Sequence, residues 1–276
     1  MFFFEKKPKK SLYYRFLEYF FFHKLSQKIQ KKLLRKPKRT SVETLNLSDI
    51  IINKPSHKGK MTGYEPYRLK NVELRNHTLM IGTPGSGLSQ SNFDSKSVQL
   101  GQTGELNFAK ILQEEQILDK LLSFWSVHNL DLNGKKTEAD VDCILVSSKT
   151  IWLIDLKYYT SGDVTYKSDD RHFYTIDNQT GFQVKKPKIM TRNMAYADES
   201  FRAKFKTLTR YFEVKSRVVL VPTNNGSGRI DNVFWPGKIK AVTLEEILLE
   251  LHSEPDFQDT IGGQHIKQIF NLLVKR

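Results

Sequence analysis

The feature that most constrains this 276-residue chain is a pair of short apolar runs separated by four polar residues. The runs are Val141–Val146 and Ile151–Leu156, and Ser147-Ser148-Lys149-Thr150 lies between them. Both runs are apolar and rich in β-branched residues, which favours strands, and the polar link between them favours a tight turn. We therefore predict a β-hairpin at this point in the chain.

Three ionisable residues interrupt these apolar runs. Asp142 lies inside the first run, whereas Asp155 and Lys157 are two residues apart near the end of the second and so share one face of a strand. A carboxylate in an apolar strand is costly unless it is paired or binds a metal. Two carboxylates suit Mg²⁺ or Mn²⁺, and a nearby lysine can activate water for attack on phosphorus. The pattern favours metal-assisted phosphodiester hydrolysis; a solvated Asp155–Lys157 pair is the alternative.

A further acid lies upstream, in Gly101-Gln102-Thr103-Gly104-Glu105. The apolar spacing after Leu100 predicts a helix to about Phe124, with Glu105 in its first turn. An acid there can simply complement the helix dipole. The two glycines, however, allow another backbone or a ligand to come close, which suits a metal or phosphate site. Glu105 is therefore a third candidate carboxylate.

These motifs together resemble the nuclease-related domain (NERD) of the PD-(D/E)XK phosphodiesterase superfamily. The resemblance rests on Gly-x-x-Gly-Glu ending at Glu105, on Asp142 in a strand, and on Asp155-x-Lys157 at the end of an apolar strand. It covers about residues 100–250. It implies an α/β, restriction-endonuclease-like fold with a mixed central sheet flanked by helices. It also implies that Glu105, Asp142 and Asp155 bind or orient the metal and that Lys157 lies beside the attacking water.

The sequence departs from the family pattern at a few positions. Val141 and Cys143 flank Asp142 where the family pattern has other residues, and neither change removes a ligand. Family members often begin the next helix with an Asn-Pro-x-x-Gln-like stretch, and the corresponding segment here is Asn193-Met194-Ala195-Tyr196-Ala197, without the glutamine. The resemblance therefore supports the family fold more strongly than it supports catalytic activity.

The function predicted from the residues and the resemblance is a metal-dependent nuclease that hydrolyses DNA phosphodiester bonds. Degradation of foreign DNA is a role that only the resemblance suggests. The alternative is a catalytically inactive module of the same fold that binds nucleic acid or a membrane surface. The residues do not distinguish DNA from RNA or single from double strands, and they do not give the oligomeric state.

The net charge of +14 is concentrated in residues 1–40, which hold thirteen Lys or Arg and two Glu. Clustered aromatic residues in the same segment predict a basic amphipathic helix from about Ser11 to Arg35, ended by Pro37. Arg15 and Lys24 are among the polar residues that interrupt the apolar run, which argues against a transmembrane span or a secretory signal. The segment is expected to bind an anionic membrane surface, nucleic-acid phosphates, or a protein surface.

Residues 41–99 are rich in Pro, Gly, Ser and Asn and are interpreted as a linker or loosely structured segment. Within it, Gly82–Ser89 nearly spells a phosphate-binding loop, but Leu88 stands where the lysine is needed. We interpret it as a flexible turn, with a nucleotide site as the weaker alternative. The single cysteine, Cys143, excludes an intrachain disulfide and favours the reducing cytoplasm, with the membrane's inner face as a peripheral location.

The nuclease-like domain is predicted over residues 100–252, followed by a C-terminal helix within 253–276 that packs on it. Paired strands are expected at 162–166 and 172–176, a buried strand at 217–222, and a last strand at 239–242 before a helix with Thr243 as its cap. DNA phosphates are expected to contact basic residues that precede the helix expected to begin at about Asn193; solvated surface is the alternative for these residues, which are Lys185, Lys186, Lys188 and Arg192.

Overall fold

The computed structural model describes residues 58–60, 69, 71–90, 95–131, 133–159, 163–204, 211–222 and 228–275. The described strands are β1 (Lys58–Lys60), β2 (Met80–Ile81), β3 (Leu122–Leu130), β4 (Lys136–Val146), β5 (Thr150–Tyr159), β6 (Val164–Ser168), β7 (His172–Asp177), β8 (Lys188–Ile189), β9 (Glu213–Pro222), β10 (Arg229–Asp231), β11 (Phe234–Trp235) and β12 (Ile239–Thr243). The described helices are α1 (Ser95–Glu114), α2 (Ile117–Lys120), α3 (Asn193–Lys204), α4 (Leu244–His252) and α5 (Ile261–Asn271), with a 3₁₀ turn at Ser86–Gln90. The predicted basic helix in residues 1–40 lies outside the described residues.

A seven-stranded mixed sheet forms the centre of the fold, in the order β11-β12-β9-β5-β4-β3-β2. The predicted hairpin is confirmed: β4 and β5 are antiparallel, with Cys143 opposite Ile154 and Val146 opposite Ile151. Strand β5 also pairs in parallel with β9 along its whole length. β4 and β5 are therefore central strands of the sheet. Both of their faces are covered, which explains why their sequences are continuous apolar runs. The predicted mixed sheet flanked by helices is therefore confirmed.

Each face of this sheet packs against its own helices. On one face, Phe108 of α1 and Ile247 of α4 lie in a buried cluster with Trp152 of β5. On the other face, Phe201 of α3 and Phe270 of α5 lie in a cluster with Leu153. Trp152 and Leu153 are adjacent and point to opposite faces, as expected in a strand. Burial on both faces holds β5, and any polar group at its end, in a fixed position.

A second, five-stranded sheet has the order β1-β10-β6-β7-β8. Its β6 and β7 form the expected hairpin, with Tyr166 opposite Thr175. Tyr166 and Phe173 stack with ring centroids 5.1 Å apart, and Phe173 lies 5.4 Å from Trp235. These rings join the small sheet to the core of the large one.

The region predicted as one helix from residue 100 to about Phe124 differs in the structure. Helix α1 begins earlier, at Ser95, and after the short α2 the chain becomes strand β3 from Leu122. Leu121 and Leu122 are followed, after Ser123, by Phe124 and Trp125, and a short, mainly apolar run does not distinguish a buried strand from a buried helix. Glu105 consequently lies in the middle of α1 rather than in its first turn.

The C-terminal predictions are confirmed with small changes in length. Thr243 caps α4 through a capping box with Glu246, whose backbone N–H donates to the threonine hydroxyl. Helix α5 ends at Asn271, and the chain then turns so that Val274 bridges to Val127 of β3. No helix in the described part of the chain is long and apolar enough to cross a membrane.

Candidate active site

A cleft of about 770 Å³ opens beside the C-terminal end of β5. Its walls include Asp140 and Asp142 of β4, Asp155 and Lys157 of β5, and Asn193 at the start of α3. On β5, Ile151 and Leu153 belong to the core cluster that packs against α3, and the period of two continues this face to Asp155 and Lys157. The apolar half of the strand therefore anchors a polar half that faces the cleft.

Asp142 and Asp155 lie one residue beyond the paired Cys143 and Ile154 of the hairpin. Asp142 is tied to the neighbouring strand, because the backbone N–H of Leu156 donates to its Oδ2 at 2.6 Å. Burial raises the pKa of Asp142 well above its usual value, and the charges of Glu105 and Asp155 raise it further. Lys157 and the Leu156 N–H act in the opposite direction without cancelling that effect.

Lys157 lies on β5, the same strand as Asp155, and pairs with it. Its Nζ lies 2.8 Å from Oδ1 and 2.7 Å from Oδ2 of Asp155, so it bridges both carboxylate oxygens. The side chains are 28% and 19% exposed, which leaves the pair accessible from the cleft. The structure thus brings the predicted Asp155-x-Lys157 pair together at the cleft wall, where both side chains are partly buried.

Glu105 reaches the same region from α1 on the opposite side of the sheet, and it is 3% exposed. Its Oε2 accepts a hydrogen bond of 2.8 Å from the backbone N–H of Gly85. Burial raises the pKa of Glu105 to about 7, although the Gly85 hydrogen bond lowers it, and the charges of Asp140 and Asp155 add to the rise. The charges of Glu105 and Asp155 act on Asp142, and the charge of Asp155 acts on Glu105, so the three predicted acids lie in the same region of the fold.

Glycine allows two elements to come close to this cluster. A Cβ on Gly104 would lie 2.8 Å from Cβ of Tyr158, so α1 packs directly on the end of β5. A Cβ on Gly87 would lie 1.8 Å from Oδ2 of Asp140, so the loop before α1 touches β4. The loop interpreted as a flexible turn is therefore packed against the site. Its Gly87 N–H donates to Ser126 Oγ at 3.0 Å, which is a structural use of the glycines.

Several charged residues of the cleft were not predicted from the sequence, and Asp140 and Lys275 are two of them. Lys275 Nζ lies 3.3 Å from Asp140 Oδ2 and donates to the carbonyl oxygen of Glu138 at 2.9 Å. The Lys275 side chain is 9% exposed. The alternation of Asp140 with Asp142 along β4 was a readable sign for the first residue. No local pattern indicates the second, because 135 residues separate it from Asp140.

The donor set of the site consists of carboxylate oxygens, which suit a hard cation. Among the described residues, no three His, Cys, Asp or Glu side chains lie in an arrangement that could by itself hold a metal ion. Cys143 does not supply a softer ligand, because it is buried in the apolar core and burial raises the pKa of its thiol well above the usual value. Any metal here would depend on one or two carboxylates.

The basic residues expected to contact nucleic acid all lie on exposed surface before α3: Lys185, Lys186, Lys188 and Arg192. Thr191, which immediately precedes Arg192, and Asn193, which follows it, line the cleft. Arg192 also places its guanidinium 5.6 Å from the ring centroid of Tyr196. The exposed basic stretch therefore leads along the chain to the cleft.

Comparison with protein-family models matches residues 100–221 to the nuclease-related domain. No curated protein and no solved structure matched the chain. The matched segment runs from α1 to β9 and contains Glu105, Asp142, Asp155 and Lys157, whereas Gly85 and Lys275 lie outside it. Residues 100–221 of this chain therefore form a nuclease-related domain, which belongs to the PD-(D/E)XK-like nuclease superfamily.

Proposed function

We propose that this protein is a metal-dependent nuclease that hydrolyses phosphodiester bonds in DNA. The observation that carries the proposal is the convergence of Asp142, Asp155 and Lys157 on one cleft wall, with the buried Glu105 behind them. Burial of several interacting carboxylates is costly for folding, and clusters of perturbed acids in a cleft are typical of functional sites. Membership of residues 100–221 in the nuclease-related family supports the same chemistry.

The residues present fit Mg²⁺ or Mn²⁺. Mg²⁺ in proteins is commonly bound by one or two carboxylates, several waters and substrate phosphate rather than by a complete protein cage. Asp142 and Asp155 would hold the ion, and Glu105 would bind or orient it from behind. When bound, the ion supplies Lewis acidity for the scissile phosphate and a water of lowered pKa.

Lys157 has two roles in this proposal. In the structure its ammonium holds both oxygens of Asp155 and so fixes that carboxylate toward the cleft. An ammonium at this place also orients the attacking water and stabilises negative charge that develops on the phosphoryl oxygens. The Leu156 N–H orients Asp142 in the same way, through the bond of 2.6 Å to Oδ2.

The basic stretch and the cleft lysines would hold the DNA. Lys185, Lys186, Lys188 and Arg192 contact backbone phosphates in this proposal and bring the strand toward Asn193 at the cleft. Contacts of this kind are independent of sequence and weaken as salt is raised. They would bind the DNA backbone and would not select a base sequence.

A second function is a module of the same fold that binds nucleic acid or a membrane surface without cutting. The observation that favours it is the closure of Lys157 onto both oxygens of Asp155, together with the lack of a three-ligand group among the described residues. In that case the acids would serve only to hold the fold together.

Cleavage assays on supercoiled and linear DNA, with RNA in parallel, separate these two functions. The purified chain is incubated with Mg²⁺, Mn²⁺ or EDTA beside Asp155→Ala and Lys157→Ala. Matched controls are Asp231→Ala and Lys167→Ala, which break another acid–lysine pair at 3.3 Å that lies on the small sheet. We expect metal-dependent cleavage that is lost in the first two variants and retained in the controls. Intact DNA with every ion, together with retained binding, would establish the non-catalytic module instead.

A further inference from the structure

A second cavity, of about 480 Å³, adjoins the cleft. The two share Thr137 and Ala139 of β4 and Asn193 of α3, so a polymer held in one can reach the other. The volume lies within the range of roughly 300–1,000 Å³ that is typical of small-molecule sites. The proposed hydrolysis does not use this cavity, which leaves its ligand to be identified.

An exposed aromatic ring and several amide side chains line this cavity. Tyr196 is 52% exposed, although it lies on a helix whose neighbours Met194 and Ala197 are buried in the core. Asn133 and Asn193, which are exposed, also line the cavity. A π-face beside groups that both donate and accept hydrogen bonds is the combination by which proteins recognise single nucleobases.

The charges around the two cavities differ in a way that selects their ligands. Lys136, Lys157 and Lys275 line the cleft. Among the described residues that line the second cavity there is no Lys or Arg, and Asp131 contributes a carboxylate. A phosphate would be repelled by this wall and attracted to the cleft, so an uncharged planar group fits the second cavity better.

We propose that the second cavity is a nucleobase subsite, in which a base of the strand being cut stacks on Tyr196 while its backbone lies in the cleft. The inference rests on the proposed nuclease function and extends it to a substrate class. A base inside a duplex is stacked on its neighbours and would have to leave them, so the subsite favours single-stranded or locally opened DNA. Arg192, beside the same ring, lies where it can contact the phosphate that follows this base.

Binding to single-stranded oligonucleotides tests the subsite without requiring cleavage. The test uses the full chain with Asp155→Asn as a common background, and it compares Tyr196→Ala, Tyr196→Phe and the unchanged tyrosine. Tyr211→Ala is the matched control, because Tyr211 is also an exposed tyrosine, at 77%, and does not line either cavity. Loss of one base–aromatic stack is expected to weaken binding about tenfold for Tyr196→Ala, and hardly at all for Tyr196→Phe or Tyr211→Ala.

An abasic residue walked along the oligonucleotide makes the test specific. At one position it should weaken binding to the tyrosine form by the same factor, and at that position Tyr196→Ala should cause no further loss. The fluorescence of a 2-aminopurine base placed there should be quenched on binding to the tyrosine form and not on binding to Tyr196→Ala. Equal affinity of the tyrosine and alanine forms for every oligonucleotide, or absence of DNA binding, would overturn the subsite.

Cleavage by the unaltered enzyme separates failure of the subsite from failure of the proposed function. Faster cleavage of single-stranded than of duplex DNA, reduced by Tyr196→Ala, supports both. Metal-dependent cleavage that Tyr196→Ala leaves unchanged on both substrates overturns the subsite and retains the nuclease. Loss of the tenfold binding effect together with no cleavage overturns both.

Discussion

Buried carboxylates lie at both ends of the β4–β5 hairpin, and the groups that surround them differ between the two ends. At the turn end, Glu254 is 6% exposed, accepts a hydrogen bond of 2.8 Å from Ser147 Oγ and lies 3.4 Å from Lys215 Nζ. At the cleft end, Asp142 and Glu105 face further carboxylates, and their pKa values are raised. At the turn end the acid is paired with a hydroxyl and an ammonium, whereas at the cleft end several acids lie near one another. The difference indicates that the acid at the turn end stabilises the fold, and it supports placing the proposed chemistry at the cleft end.

Asp142→Asn is the change with the largest expected effect, and it tests whether the cleft end contributes to activity rather than to stability. The amide keeps the shape but removes the charge, so we expect nuclease activity to fall on the order of 10³-fold. The melting temperature at pH 8 should stay the same or rise, because a buried charge is removed. Activity is measured on linear DNA in Mg²⁺, and Asp170→Asn, an exposed acid, is the control. A large loss of stability in Asp142→Asn would mean that the cleft end is structural after all.

The converse change at the turn end is Glu254→Ala. It leaves Lys215 without its buried partner and removes the acceptor of the Ser147 hydroxyl, so it should cost about 3 kcal/mol of unfolding free energy. The melting temperature should fall by about 6–10 °C while activity per folded molecule is unchanged. The matched control is Glu213→Ala, whose carboxylate is 65% exposed at 3.5 Å from the same lysine and should matter little. Equal effects of the two changes would contradict the contrast.

The pH dependence of stability gives a smaller effect with a definite sign. The folded chain holds the Glu105 proton up to a pKa of about 7, whereas a glutamate in the unfolded chain releases it near pH 4.5. The folded state therefore binds more protons between these values, and the unfolding free energy should fall as pH rises through that window. In EDTA, Glu105→Gln should remove most of this fall. Thermal melts from pH 4.5 to 8 measure it, and a parallel curve for the variant would refute the assignment.

The smallest expected effect comes from Lys215→Met at the turn end. The ammonium lies 4.8 Å from the Trp152 ring centroid as well as near Glu254, and methionine keeps the packing but not the charge. We expect a loss of about 1 kcal/mol, read from urea unfolding at pH 8. The loss should shrink at high salt, which screens charge pairs. A loss that is the same at every salt concentration would show that packing on Trp152, and not charge, is what Lys215 contributes.

The sequence predicted the hairpin and its acids because both are local patterns. Two apolar runs with a polar turn define the strands, and period two places Asp155 with Lys157. The start of α1 was missed because Ser95, Lys96 and Ser97 carry no apolar period, and that error moved Glu105 to the wrong turn of its helix. The partnership of Gly85 with Glu105 and that of Lys275 with Asp140 depend on tertiary packing. Residues distant in sequence leave no such local pattern.

The position of Lys275 has a consequence for how the protein is made. The cleft wall formed by β4 is complete in sequence at Val146, but Lys275 joins it when the C-terminal segment packs on β3, where Val274 bridges to Val127. Ribosomes add about 5–20 residues per second, so on the order of ten seconds separate the two events. During that interval the nascent chain carries the acids of β4 without the Lys275 ammonium, and the part of the cleft wall that Lys275 forms is missing. Biosynthesis thus delays completion of the site until residue 275 has emerged.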